Sequence, residues 1–265
     1  MSVHSGTPRG VSITCRNLAI DVETDTGTRR IVEGLDLHID PLEFVCVLGG
    51  SGVGKTTVLR ALGGLIPPAP GSVLEFDGQP VNGPSPKCVI VFQNYTGSLL
   101  PWRTVLANVE LPLERTVRNK AERRERAMEA LRLVDLDKRC TAHPAQLSGG
   151  MQQRVQIARA LVMEPPVLLM DEPFGALDAM TRESLQDALL DIHRAAGTTI
   201  VFITHDIDEA AYLGSRQVVL AGSPSKVAFD FKSPLGTDRE QIKTKSSAEY
   251  LTLRQQLYAA VRGEH

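Results

Sequence analysis

The 265-residue sequence predicts an α/β fold built on a mostly parallel sheet, and three observations carry that prediction. Apolar runs of strand length alternate with stretches of helical periodicity, the pattern of right-handed strand–helix–strand crossovers. One such run, Glu43-Phe44-Val45-Cys46-Val47-Leu48, feeds straight into a glycine-rich loop and then a helix. That is the setting a phosphate-binding loop requires. Finally, Gln93, Asp171, Glu172 and His205 each fall at the carboxyl end of a predicted strand, the edge of an open α/β sheet where ligands gather.

Composition narrows the class. Hydrophobic residues make up 42% of the chain and the net charge is −2, which suits a chain with a real core. It argues against a disordered protein or one that coats nucleic acid. The longest apolar runs, such as Val167–Met170 and Ile200–Ile203, are too short to span a bilayer. The polar start, with Pro8 and Gly10, reads as no secretory leader. Cys15, Cys46, Cys88 and Cys140 lack metal-binding spacing, so reduced thiols in a cytoplasmic protein are expected.

Taken in order, Val11 to Ile39 alternates apolar and polar residues around a turn at Thr24–Thr28, predicting antiparallel strands. The buried strand at 43–48 follows. Val58, Leu59, Ala61, Leu62 and Leu65 then recur at helical spacing until Gly63-Gly64 and Pro67-Pro68 end the helix. Ser72–Phe76 with Asp77-Gly78 predicts a hairpin. Cys88–Phe92 is a strand ending at Gln93. From Asn94 to Ala160 the pattern is helical, with Ala127, Leu131 and Val134 on one face. Arg123-Arg124-Glu125-Arg126, among acidic neighbours, reads as a solvated helix face and not a nucleic-acid patch, so no nucleic-acid partner is expected. Val167–Met170 is a strand leading into Asp171-Glu172. A helix carrying Leu185, Leu189 and Ile192 ends at Gly197, Thr198–Thr204 is a strand ending at His205, and Gln217–Leu220 is one more. Beyond Gly222 the only clear element is an amphipathic helix marked by Tyr250, Leu253, Leu257 and Val261.

The chemistry is concentrated in a few residues. Gly49-Gly50-Ser51-Gly52-Val53-Gly54-Lys55-Thr56-Thr57 fits the pattern G-x-x-x-x-G-K-[ST]. Its glycines let backbone N–H groups converge on phosphate oxygens, Lys55 would neutralise the β and γ phosphates, and the Thr56 hydroxyl would bind Mg²⁺. Asp171, behind four apolar residues, would hold hydrated Mg²⁺, and Glu172 is placed to take a proton from an attacking water.

The segment Leu147-Ser148-Gly149-Gly150-Met151-Gln152-Gln153-Arg154 is a helix start suited to an anion. With the following VQIARAL it resembles, nearly letter for letter, the signature of ATP-binding-cassette (ABC) ATPases. The resemblance covers about 11–222 and implies a RecA-like P-loop NTPase core with an antiparallel β subdomain and an inserted α-helical subdomain. The core would comprise 11–93 and 161–222, the helical subdomain 94–160, and 223–265 would be a tail. By the same resemblance Gln93, in VFQN, would sense Mg²⁺ and the water, and His205, in FITHD, would contact the γ-phosphate. Asp178, in FGALDA, matches the family's Asp just after the acidic strand. Ser148, Gly149 and Gly150 would close over ATP held by Lys55 of a second copy, paired head to tail.

LLPWRTVLANV at 99–109 is similar to the ATPases of bacterial importers for nitrate, taurine and alkanesulfonates. The region around Gln93–Thr104 would then meet membrane permease subunits. A periplasmic or lipoprotein solute-binding protein would be an indirect partner, and the chain would lie peripherally on the cytoplasmic face of the inner or plasma membrane. Trp102 could instead be a core aromatic. Two departures from the family stand out. Val22 occupies the position where an aromatic residue often stacks on adenine, and Pro41-Leu42-Glu43 has no Gly before its Glu. Competing readings are a regulatory or structural ABC ATPase that moves no solute, a cassette ATPase of DNA repair or translation, and a phosphate-loop kinase. The repair ATPases need coiled-coil inserts or a second cassette, for which the chain has no room, and the kinase leaves LSGGMQQR unexplained.

Overall fold

The computed structural model describes residues 10–25, 27–93 and 97–263. The start of the chain at 1–9, Thr26 of the first predicted turn, and 94–96 at the head of the predicted helical region lie outside the described residues.

The chain opens with an antiparallel pair, β1 (Ile13–Thr24) and β2 (Gly27–Ile39). Their alternating apolar residues face inward, so Ile13, Leu18 and Ile20 are buried opposite Ile39, Leu35 and Val32. β3 (Phe44–Gly49) is buried at all six residues, as an apolar run with no polar face must be. It leads through the glycine loop into α1 (Lys55–Leu62). β4 (Val73–Phe76) and β5 (Gln79–Pro80) are joined by Asp77 and Gly78, whose φ values of 48° and 71° suit a tight hairpin turn. β6 (Cys88–Val91) ends the first half of the sheet.

The helical region is three helices, α2 (Val105–Glu110), α3 (Lys120–Leu133) and α4 (Gly149–Leu161), separated by short 3₁₀ turns. Ala127, Leu131 and Val134 are buried in the predicted stripe, while Arg123 and Arg126 reach back to the carbonyls of Val117 and Val162. β7 (Val167–Asp171), α5 (Ala179–Ala196), β8 (Thr199–Ile203), α6 (Ile207–Leu213) and β9 (Arg216–Gly222) alternate as predicted.

After Gly222 the structure adds a strand that the sequence pattern did not announce. β10 (Ser225–Lys232) pairs antiparallel with β9 and touches β2, and its half-buried Val227, Phe229 and Phe231 alternate with exposed neighbours. The chain ends with α7 (Gln241–Lys245) and α8 (Ala248–Arg262), whose Tyr250, Leu253 and Leu257 are buried.

All ten strands form one sheet in the order β5-β4-β1-β2-β10-β9-β3-β8-β7-β6. The run β9-β3-β8-β7-β6 is parallel throughout, so the carboxyl ends of β3, β8, β7 and β6 lie side by side. Successive β3 residues point to opposite faces. Phe44, Cys46 and Leu48 join the apolar cluster under α2 to α6 and α8, while Val45 and Val47 join the cluster with β1, β2 and α1. All four cysteines are free thiols, and burial first, with Asp36 second, pushes that of Cys15 up to about 12. Among the described residues no helix is long and apolar enough to cross a membrane.

Candidate functional site

The glycine loop owes its shape to two positions. Gly49 has φ 152°, and a Cβ there would stand 2.5 Å from the carbonyl oxygen of Leu220 on the neighbouring strand. Gly54, with φ 100°, caps α1 without any side-chain hydrogen bond, and a Cβ would meet Ile31 at 2.8 Å. The first N–H groups of α1 are therefore aimed at the loop with no side chain capping them, the arrangement that receives phosphate. Lys55 is buried and its ammonium donates to the carbonyls of Gly49, at 2.8 Å, and Gly50, at 3.0 Å. Burial lowers its pKa, and the carboxylates of Glu172 and Asp171 work against that.

At the end of β7, Asp171 is 3% exposed and its Oδ1 accepts the Thr56 hydroxyl at 3.2 Å. Burial pushes its carboxyl up, and the Thr56 hydrogen bond opposes the shift. Glu172, the next residue, has φ 46°, a left-handed conformation that costs a non-glycine residue of order 1–3 kcal/mol. Its N–H donates to Ile203 at the end of β8, which holds the strained backbone in place. The Glu172 carboxylate is the meeting point of the site. Its Oε2 accepts from Nε2 of Gln93 at 2.8 Å and lies 3.2 Å from Nδ1 of His205. Three strand ends thus deliver Gln93, Glu172 and His205 to a single oxygen, beside the Thr56–Asp171 pair and Lys55.

The remaining predicted residues form a second group. Ser148 caps α4, its Oγ accepting from the N–H of Met151 at 3.3 Å. Asp178 caps α5 and accepts from the N–H of Thr181 at 3.0 Å, a bond that pulls its pKa down. Gly150 lies against the segment before α5, where a Cβ would come within 3.2 Å of Leu177. Ser148, Gly149, Gly150 and Asp178 line one cleft of about 390 Å³ with Arg154 and Thr181. Among the described residues no hydrogen bond joins this group to the phosphate loop. A larger cleft of about 530 Å³ along the proline-rich segment 66–75 contains none of the predicted residues.

Sequence reasoning passed over the polar network behind His205. Thr204 donates to the buried Glu209 at 2.7 Å, and Asp206 caps α6 by accepting from the N–H groups of Asp208 and Glu209. Arg182 of α5 reaches Asp206 at 3.4 Å and Glu209 at 3.6 Å, and donates to the carbonyl of Leu177, one residue before Asp178. The cap itself was readable, since Asp206 precedes Asp208-Glu209 in the first turn.

Trp102 is 72% exposed, so it is not a core aromatic. Its loop is rigidly built. The buried Asn108 bonds to the N–H and carbonyl of Leu100 and to the carbonyls of Arg103 and Thr104, and Arg159 donates to Ser98.

Known proteins resemble the chain in both sequence and structure. A family model described as ABC transporter matches residues 32–175. A nitrate import ATP-binding protein of Synechococcus elongatus is 42% identical over 234 residues, covering 87% of this chain and 84% of that protein. A bicarbonate transport ATP-binding protein of a Synechocystis species is 39% identical, covering 91% and 86%. A taurine import ATP-binding protein of Rhizobium johnstonii is 42% identical, covering 87% and 89%. Among solved structures, a dimeric ATP-binding cassette in a post-hydrolysis state, bound to ADP and Pi, aligns with a TM-score of 0.74 at 34% identity, covering 83% of this chain and 98% of that one.

Proposed function

The chain belongs to the ABC transporter family, and from that premise we propose that it is the ATP-hydrolysing, energy-coupling subunit of an importer for nitrate, taurine, a sulfonate, bicarbonate or a similar small solute. The observation that carries this reading is the Glu172 carboxylate, held by Gln93 and His205 next to the Thr56–Asp171 pair.

The loop 49–57 wraps the ATP phosphates, with N–H groups from Gly50 to Thr57 facing the oxygens and Lys55 balancing the charge on the β and γ groups. The Thr56 hydroxyl and the buried Asp171 carboxylate are hard oxygen donors 3.2 Å apart, and they fit Mg²⁺. With Gln93 these residues would hold the ion, which would supply charge neutralisation for the transferring phosphoryl group. Glu172 accepts a proton from the attacking water. Gln93 orients that carboxylate and the water, and His205 contacts the γ-phosphate.

Ser148, Gly149 and Gly150, at the positive end of α4, complete the nucleotide site of a second copy related head to tail, with Asp178 beside them. ATP then holds two chains together, and hydrolysis releases them. The exposed Trp102 on its braced loop, in the region around Gln93–Thr104, is the surface offered to the membrane permease. A solute-binding protein outside the membrane acts indirectly, and the chain itself sits peripherally on the cytoplasmic face. The test is Glu172→Gln. The variant should bind ATP as the wild type does while its turnover falls by a factor of about 10²–10⁴, as for loss of a general base. Unchanged turnover would show that Glu172 is not the base.

A further inference from the structure

α6 begins two residues after His205 and is only seven residues long. A helix of that length has little stability of its own, since isolated helices below about 12 residues are marginal in water. Its rigidity, and with it the position of the His205 backbone, must come from what packs against it. The His205 side chain is 69% exposed and meets Glu172, so backbone placement decides where the imidazole points.

The carboxyl-terminal segment grips α6 at both ends. In the first turn, Oδ1 of Asp208 accepts from the hydroxyl of Tyr250 at 2.8 Å and from Nε of Arg254 at 2.6 Å. At the far end, the guanidinium of Arg239 donates to the carbonyls of Tyr212 and Gly214, where a cation complements the helix dipole. Between them, the Tyr212 hydroxyl donates to Asp187 of α5, which also accepts from Gln241 of α7 at 2.8 Å. Burial of Leu253 and Leu257 accounts for the adhesion of α8. It does not account for three polar anchors converging on the one short helix that follows His205.

We propose that the segment 239–254 is a positioning element for His205, acting through Asp208 and the carbonyl end of α6. The proposal rests on the role given to His205 above. Tyr250, Arg254 and Arg239 touch no substrate on this reading. They fix the helix whose cap, Asp206, is the residue after His205, so loosening them moves the imidazole without disturbing the phosphate loop. The segment is then a route by which anything that binds the carboxyl terminus could set the hydrolysis rate.

The test uses the full-length chain with Tyr250→Phe and Arg254→Met together, which removes both donors to Asp208 and keeps the buried ring and the aliphatic stem. Steady-state ATPase, ATP affinity and the unfolding midpoint are measured for this variant, for His205→Ala, and for the two combined, well below the lowest midpoint. In the wild-type background kcat should fall by about tenfold, since a displacement of about 1 Å at a reacting centre costs up to about 10²-fold, with ATP affinity within about twofold. In the His205→Ala background the same change should lower kcat by less than about twofold, because the residue being positioned is gone. An equal loss in both backgrounds, or an unchanged kcat in the first, overturns the proposal and leaves the ATPase assignment standing. Turnover unaffected by His205→Ala overturns both the proposal and the role of His205.

Discussion

Glu209 makes the stability of this protein fall as pH rises through neutrality. Its side chain is buried on α6, and burial pushes its carboxyl from 4.5 up to about 7, with Asp206 adding to the rise. The Thr204 hydroxyl, Arg182 and His205 oppose the rise without cancelling it. A carboxyl whose folded pKa is raised binds its proton more tightly in the native state. Its stabilising contribution is full below the unfolded pKa and is lost as pH climbs through the folded one. The total change is roughly 3 kcal/mol, because each tenfold difference in proton affinity between the folded and unfolded states is worth about 1.4 kcal/mol. About 2 kcal/mol of it falls between about pH 5.5 and pH 8. Glu209→Gln keeps an acceptor for Thr204 and removes the titration. Urea unfolding at several pH values should show the wild type losing about 2 kcal/mol relative to the variant across that interval. Parallel stability profiles would refute the burial argument. A wild type that gained stability relative to the variant would show that the Arg182 ion pair outweighs desolvation.

The loop and the docking surface yield two more tests. Gly49→Ala forces a side chain to φ 152° and to 2.5 Å from the Leu220 carbonyl oxygen, so the urea midpoint should drop by an amount worth at least about 1–3 kcal/mol, and an unmoved midpoint would mean that the loop can re-form without its first glycine. Trp102→Ala removes a ring that is 72% exposed, so unfolding free energy should stay within about 0.5 kcal/mol while association with the permease in detergent-solubilised membranes weakens. Undiminished association would remove Trp102 from that surface.

Much of the parallel half of the sheet was legible because each of its strands is an apolar run stopped by a polar residue. β3, β7 and β8 are buried throughout, so nothing but a polar terminus could interrupt them, and those termini are the site. β10 was harder to find. Its alternation is present, but only one face is half-buried, and Lys226, Asp230 and Lys232 dilute the signal. The network behind His205 was invisible for a different reason. Arg182 and Glu209 look like ordinary charged helix residues, and only the packing of α5 on α6 turns one into a bridge and the other into a buried acid. Spacing could not settle Trp102 either, because its exposure depends on Asn108 tying down the loop around it. The signature at Ser148–Gly150 was the plainest motif, yet its grouping with Asp178, apart from the phosphate loop, is a matter of tertiary structure.

The central claim is that Lys55 of one chain and Ser148 of another close on the same ATP. Sedimentation of Glu172→Gln, with and without ATP, tests it most directly, because blocked hydrolysis should trap the closed state. The account predicts a monomer without nucleotide and a dimer with ATP that Ser148→Arg abolishes. A chain that binds ATP stoichiometrically yet stays monomeric at every concentration would contradict it.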